Sequence, residues 1–568
     1  MTFEEYLDDL RARQARVRPH DTPHEVRYPL GEISLPEHVA HWAGRYPARP
    51  AIVFADRTVG YRELDELSGR LAGWLASVGV KAGDRVAVHL PNCPQFVIAM
   101  LAALRLGAVH VPVNPMFQAA ELAHELEDCG ATVAITLDTL APLLEAARPG
   151  TAVQTVLVTS AAEMSGAPTA PAVAREGTVR CWEQALAHER AQDAPTDLDV
   201  LAALNYTGGT TGLPKGCMHT QRHMLYTAAS SAGASGHAAD SGYVALCYIP
   251  VFWIAGEDLG ILTPLVLGGT SVLMSRWDPA EVLRAIDTHR VTTMVGTVEN
   301  YLELTELLGR PEFSAYDLSS LTDPMAVSFV RKLDPEVRGR WAAVAGPGSL
   351  LREGAYGMTE THTFDATPYG LAENDEDLTT EPVFCGIPVP GTDIAVVSFE
   401  TGEPLPLGEA GEIIVRSPSV MTGYWRRPEA TAEQLRDGWL HTGDNGRIDE
   451  KGCLHYLGRD KDMIKVKGMS VFPAEVEMLL CRHPDVHTAA VVPAEDAARG
   501  QTPVAFVQLR PGATTDAATL HAWAAENMAP YKVPLLELVP EFPMTTTGKI
   551  RKVELADRAQ SLAEKAAD

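Results

Sequence analysis

The strongest local chemical signal in this 568-residue chain is YTGGTTGLPKG, residues 206–216, which follows the apolar run VLAAL. Gly208, Gly209 and Gly212 let backbone N–H groups turn toward an anion, Thr207, Thr210 and Thr211 add hydroxyls, and Lys215 adds a point charge. At the end of a strand such a loop suits a polyphosphate; a polar turn with no ligand is the other reading. The ordinary P-loop pattern G-x-x-x-x-G-K-[ST] is absent. His219 and His223, in HTQRH, have the i, i+4 spacing of a zinc helix but lack the Glu of H-E-x-x-H, so they read as part of a structural helix and no zinc is assigned. The eight cysteines form no C-x-x-C pair, which points to neither a disulfide framework nor a zinc ribbon and fits a reducing cytoplasm.

Four further motifs follow in order: YGMTET at 356–361, GWLHTGD at 438–444, GRDKDMIKVKG at 458–468 and TTTGKIRK at 545–552. Together with the glycine-rich loop they resemble the signature of the acyl-adenylate-forming superfamily, which holds acyl-CoA synthetases, peptide-synthetase adenylation domains and beetle luciferases. The resemblance implies an α/β fold with a large N-terminal part of several subdomains, residues 1–457, and a small mobile α+β lid, residues 458–568, turning near Lys461. It also implies roles. Tyr356 stacks on adenine beside Gly357, Thr359 contacts the α-phosphate, and Glu360 with Thr207 holds Mg²⁺; a flat ring suits a purine and a hard carboxylate oxygen suits Mg²⁺. Asp444, an acceptor-only group, takes the ribose hydroxyls, and Arg459 reaches the ribose or phosphates. Lys549 reaches between the acid and the α-phosphate, where a fixed cation stabilises developing charge, so Lys549, Thr207 and Glu360 form the candidate catalytic set. Gly468 lies beside the pantetheine passage. Outside this company, each of these residues would be read as a turn, a solvated side chain or part of a basic tail with Arg551 and Lys552.

The implied reaction joins a carboxylic acid to CoA at the expense of ATP, through an acyl-adenylate, with release of pyrophosphate and AMP and no covalent enzyme intermediate. An amine, a carrier protein or a small oxyanion such as nitrite in place of the usual partners is the alternative within the family; a regulator that binds nucleotide without turnover is the reading outside it. Two departures bear on the substrate. Where relatives carry a His after the Pro and two residues of IPVFWIAG, this chain has Trp253, read either as a wall of the acyl pocket or as a packed core aromatic. Where relatives place a Gly-Gly-Ala-Pro turn, residues 326–330 are bulkier, which reshapes the pocket floor.

The elements that must position these residues follow from patterning. Leu64, Leu67, Leu71, Leu75 and Val78 recur at helical spacing, DRVAVHL alternates as a strand, FVIAMLAALRLGA reads as a buried helix, and VHVPV and ATVAIT are short strands, the alternation of a mostly parallel covered sheet. Residues 160–196, rich in Ala and Pro, read as a surface loop. Beyond GRDKD, VHTAAVV and PVAFVQL alternate with helical segments, the first opened by Pro473. A chain of this length exceeds a single core. With 47 Lys and Arg against 74 Asp and Glu the formal charge is −27, which disfavours nucleic acid as a partner. The N-terminus is acidic, and the longest apolar run, residues 96–104, is too short to span a membrane. Monomer and homodimer both remain open.

Overall fold

The computed structural model describes residues 2–165, 179–195, 197–207, 214–328, 332–354, 356–380, 383–459, 463–466, 469–496, 499–528, 530–544 and 549–567. Among these residues four sheets organise the chain. The first runs Val179–Cys181, Thr155–Thr159, Val133–Leu137, Arg85–His89, Val109–Pro112, Leu201–Tyr206 and Gly216–Thr220; all its pairings are parallel except the last, a hairpin in which Tyr206 faces Gly216. The glycine-rich loop is therefore a strand-to-strand connection, unlike the strand-to-helix turn of a P-loop. The second sheet runs Arg352–Glu353, Asp323–Val327, Thr293–Thr297, Val244–Cys247, Thr270–Leu273, Pro50–Phe54 and Arg57–Gly60, again parallel but for its final pair.

The helix Pro94–Arg105, apolar nearly all round, is buried at every residue and shares one core with both parallel sheets. Its one cation, Arg105, has no side-chain exposure and is met by Asp65 at 2.5 Å and Asp193 at 2.6 Å, the pairing a buried charge requires. The amphipathic pattern from Tyr61 forms the helix Tyr61–Ser77.

The third sheet is antiparallel and carries most of the polar motifs: Tyr356–Met358, Thr363–Thr367, Val383–Pro388, Leu454–Arg459, Trp439–Ile448, Gly411–Arg416 and Asp393–Val397, in that order. The helix Phe3–Val17 covers it with Tyr6, Leu7 and Leu10. The fourth sheet is built only from C-terminal residues, Met469–Val471, Ile464–Val466, Gly500–Leu509 and Val486–Asp496, with Leu535–Leu538 added in parallel. One face packs on the helices Pro473–Cys481 and Ala517–Asn527, the other on Ala556–Ala567. This is the α/β architecture with a small separate α+β part expected from the motifs. The strand Leu454–Arg459 belongs to the third sheet and runs two residues past position 457.

Two local expectations are corrected. Residues 160–196 are more than a surface loop: Val179–Cys181 extends the first sheet, and the helix Trp182–Leu186 buries Trp182 and Ala185. The chain then crosses the helix Tyr61–Ser77 so closely that a Cβ at Gly73 would lie 1.9 Å from the Glu189 carbonyl, and Ala191 N–H bonds to the Gly69 carbonyl at 3.1 Å. Backbone contact over two helix glycines holds a segment whose composition lacks large apolar residues. His219 lies in the strand Gly216–Thr220, whereas His223 lies in the helix Gln221–Ala234 capped by Thr220, so the pair does not share a helix. Ala326 and Val327, where relatives place a turn, finish the strand Asp323–Val327.

Leu101, fully buried in the Pro94–Arg105 helix, tests the joint core: Leu101→Ala should cost about 2–5 kcal/mol of unfolding free energy, read as a lower urea midpoint at unchanged m-value.

Candidate active site

The glycine-rich hairpin is pinned at its base. Thr207 N–H donates to the Lys215 carbonyl at 3.0 Å, Lys215 N–H donates to Thr207 Oγ1 at 3.3 Å, and the Tyr206 hydroxyl donates to Asp128 at 2.8 Å. A Cβ at Gly216 would meet the Tyr206 ring at 3.1 Å, so glycine there permits the close approach. The Lys215 ammonium lies 4.1 Å from the centroid of the Tyr424 ring, a cation–π contact. Gly208, Gly209, Thr210, Thr211 and Gly212 lie outside the described residues.

The YGMTET motif begins on an edge strand of the third sheet and continues into a tight turn, Thr359–Thr361. Tyr356 is buried and its hydroxyl donates to Asp444 Oδ2 at 2.9 Å, whereas Gly357 is exposed. His219 Nε2 donates to the Thr359 carbonyl at 2.8 Å, because a carbonyl can only accept. The Glu360 carboxylate accepts the Tyr424 hydroxyl at 2.7 Å, and the Glu360 carbonyl accepts Met421 N–H at 2.8 Å. Behind the turn His219, His223 and His362 are buried together; burial pushes His223 down to about 4 and His362 down to about 3, and takes His219 well below its ordinary value, so the cluster is neutral at physiological pH.

Asp444 and Arg459 face each other on neighbouring strands of the third sheet, with Arg459 Nε 3.2 Å from Asp444 Oδ1. Desolvation works against the Arg459 charge, but Asp444, Tyr456, Glu360 and Tyr356 together hold its pKa above the ordinary arginine value. Lys549 comes from the far end of the chain and joins this group. Partial desolvation and the charge of Arg459 lower its pKa, and Asp444 opposes them, while the residue itself stays exposed to solvent. A bridge between Met544 and Ile550, the bond from Arg551 N–H to the Pro543 carbonyl and a 2.5 Å pair between Lys552 and Glu477 anchor its loop. Lys461 and Gly468 lie outside the described residues.

Elsewhere a cavity of about 10 Å³, room for about one water, is lined by groups including Cys247, Ala255, Leu259 and Met294. It opens where the strands Val244–Cys247 and Thr293–Thr297 stop pairing beyond Leu246 and Met294. Trp253, half-buried, caps the short helix Ile254–Glu257 and packs edge-on against Phe252. Ser328, in the segment read as bulkier than the relatives' turn, binds Glu353 through its N–H at 3.0 Å and its hydroxyl at 2.5 Å; Phe329 and Val330 lie outside the described residues.

The sequence pattern of AMP-binding enzymes matches residues 39–425, and that of the AMP-binding enzyme C-terminal domain matches residues 475–549. The chain belongs to the AMP-binding enzyme family. The long-chain-fatty-acid–CoA ligase of Bacillus subtilis strain 168 is 35% identical over 559 residues, covering 95% of this chain and 96% of its own. The crystal structure of the anthranilate CoA ligase AuaEII with anthranoyl-AMP superposes with a TM-score of 0.78 at 26% identity, covering 94% of this chain and 98% of that one. ATP-bound MatB from Rhodopseudomonas palustris gives 0.78 at 27% identity, covering 93% and 99%. This AMP-binding enzyme is a ligase of the AMP-forming acyl-CoA synthetase type.

Two residues of this ligase site carried no signal in the sequence. Tyr424, in an unremarkable VMTGYW stretch, touches both Lys215 and Glu360. Glu257, four residues after Trp253, is fully buried with one oxygen accepting from Asn205 Nδ2 at 3.1 Å, while its other oxygen and Asn205 Oδ1 have no partner among the described residues. Only the placement of Asn205 on the strand leading into the phosphate loop reveals that contact.

Burial raises Glu257 to about 8 and neighbouring Asp258 to about 7. A carboxyl whose folded pKa is raised binds more protons folded than unfolded, so stability falls as pH rises from the ordinary carboxylate range to about 8. Glu257→Gln should therefore flatten the loss of Tm between pH 5 and 8, with Asp258 retaining part of the slope; an unchanged slope in thermal melts would contradict the assignment.

Proposed function

We propose that this enzyme condenses a carboxylic acid bearing an apolar acyl group with CoA, through an acyl-adenylate formed from Mg·ATP. The Asp444–Arg459 pair, 3.2 Å apart on neighbouring strands with the Tyr356 hydroxyl on the same carboxylate, carries the reading, and Lys549 from near the C-terminus lies close enough to feel both charges. In this proposal residues 458–568 form a lid that turns near Lys461, and Gly468 borders the thiol's path. A cytoplasmic location fits the eight free cysteine thiols.

The geometry supports the following roles. The hairpin base at Thr207 and Lys215 grips the phosphate chain. Asp444, held by Tyr356 and Arg459, accepts the ribose hydroxyls, and the Tyr356 ring lies against the base. Glu360 and Thr207 are hard oxygen donors, one of them anionic, a set that fits Mg²⁺ shared with substrate phosphates. Held by these oxygens, Mg²⁺ would supply charge neutralisation for the phosphates. The acid's carboxylate attacks the α-phosphorus, and the pyrophosphate leaves with the electron pair of the broken P–O bond. Lys549, fixed by the closed lid, stabilises the charge that develops on the α-phosphate oxygens. After the lid turns, the CoA sulfur attacks the acyl carbon and AMP leaves. The apolar cavity beside Ala255 and Leu259 supports an acyl group without charge, and its small volume requires side chains to move aside for a longer chain.

Lys549→Ala should slow acid-dependent pyrophosphate–ATP exchange by about a hundredfold or more. It should leave thioester formation from supplied acyl-adenylate far less affected, because that step follows lid rotation. Equal loss in both steps would remove Lys549 from adenylation. A panel of neutral aliphatic and aromatic acids, scored for pyrophosphate, AMP and CoA consumption, tests the activity itself; pyrophosphate release with CoA left intact would identify another acceptor.

A further inference from the structure

We infer that Tyr424 is a positioning residue for the adenylation step, orienting the Glu360 carboxylate through its hydroxyl and the Lys215 ammonium through its ring. The inference rests on the reading of Glu360 as the carboxylate that holds Mg²⁺.

Tyr424 is 2% exposed and packs with Cys217, Met421 and Leu440. Its hydroxyl donates to Glu360 Oε1 at 2.7 Å; the Gln434 side-chain amide oxygen also contacts this hydroxyl, and because the phenol has one hydrogen, Gln434 serves as its partner from the amide nitrogen once the amide is turned over. The opposite requirement, a surface for a cation, is met by the same ring, 4.1 Å from Lys215 Nζ. The backbone makes the placement stiff. Residues 421–425 run beside the strand Gly216–Thr220, with Met218 N–H on the Gly423 carbonyl at 2.9 Å, Thr422 N–H on the Met218 carbonyl at 3.0 Å and Trp425 N–H on the Gly216 carbonyl at 2.8 Å. Tyr424 and Cys217 form an antiparallel bridge, Tyr424 N–H donates to Thr431 Oγ1 at 2.9 Å, and Met421 N–H holds the Glu360 carbonyl. One short segment thus fixes both the strand that leaves the phosphate loop and the turn that carries the metal-binding carboxylate.

A carboxylate on a two-carbon stem has free rotamers, and a metal–phosphate geometry admits few of them. The phenol selects one by occupying Oε1, which aims the carboxylate.

The test separates hydroxyl from ring and includes a binding readout. Tyr424→Phe keeps the ring beneath Lys215 and removes the bond to Glu360; Tyr424→Leu removes both. ATP affinity is measured by calorimetry with Mg²⁺ and with EDTA, alongside Mn²⁺ affinity of the enzyme–ATP complex by electron paramagnetic resonance. Tyr424→Phe should weaken Mg·ATP and Mn²⁺ binding by about tenfold or more and leave ATP binding in EDTA unchanged. Tyr424→Leu should weaken both. Tyr424→Phe added to Glu360→Gln should cause no further loss, as expected for residues acting as a unit. Wild-type Mg·ATP affinity in Tyr424→Phe, or equal losses with and without Mg²⁺, would overturn the inference. Wild-type enzyme binding ATP equally with Mg²⁺ and EDTA would instead overturn the metal role of Glu360, and the inference with it.

Discussion

The Asp444 carboxylate, buried on the third sheet, is where separate parts of this enzyme meet. It accepts from the Tyr356 hydroxyl, lies 3.2 Å from the Arg459 guanidinium and raises the affinity of Lys549 for its proton. A buried carboxylate is stable only when its charge is met by donors and cations held in fixed positions. Supplying them brings the YGMTET strand, the strand ending at Arg459 and the C-terminal loop into one cleft. The polar convergence required to keep one charge out of water is also the arrangement a nucleotide needs.

The other half of the site obeys the same constraint at lower density. Lys215 rests on an aromatic face, Glu360 accepts a phenol, and Thr359 has its carbonyl held by a neutral buried imidazole. Lys215 and Glu360 each meet a partner that carries no full charge, so their own charges are left largely uncancelled, whereas Asp444 faces the Arg459 cation. Elsewhere the polar groups turn away: Glu257 faces Asn205, while Ala255 and Leu259 of the same segment line the apolar cavity.

The five motifs were legible as chemistry because their residue types do not depend on folding: a glycine-rich loop, an acceptor-only carboxylate and a lysine on a loop keep those properties anywhere. The parallel sheets and the wholly apolar helix were legible because period-two and all-round hydrophobic patterns answer directly to burial. Reading failed where contact with distant chain overrode composition. Trp182 is buried although its neighbourhood looks like a polar loop, since the segment adds to a sheet edge and crosses Gly69 and Gly73. His219 and His223 look like one helical pair, yet the Thr220 side chain starts the helix between them.

By itself the sequence determined the family, the order of the site residues along the chain and the kind of ligand each suits, since these depend on side-chain chemistry and spacing. Which residues touch was decided only by tertiary structure. Tyr424 lies 64 residues from Glu360, and Asn205 lies 52 residues from Glu257. No local pattern encodes such partners, because they are chosen by sheet register and by the requirement that buried polar groups find one another across the fold.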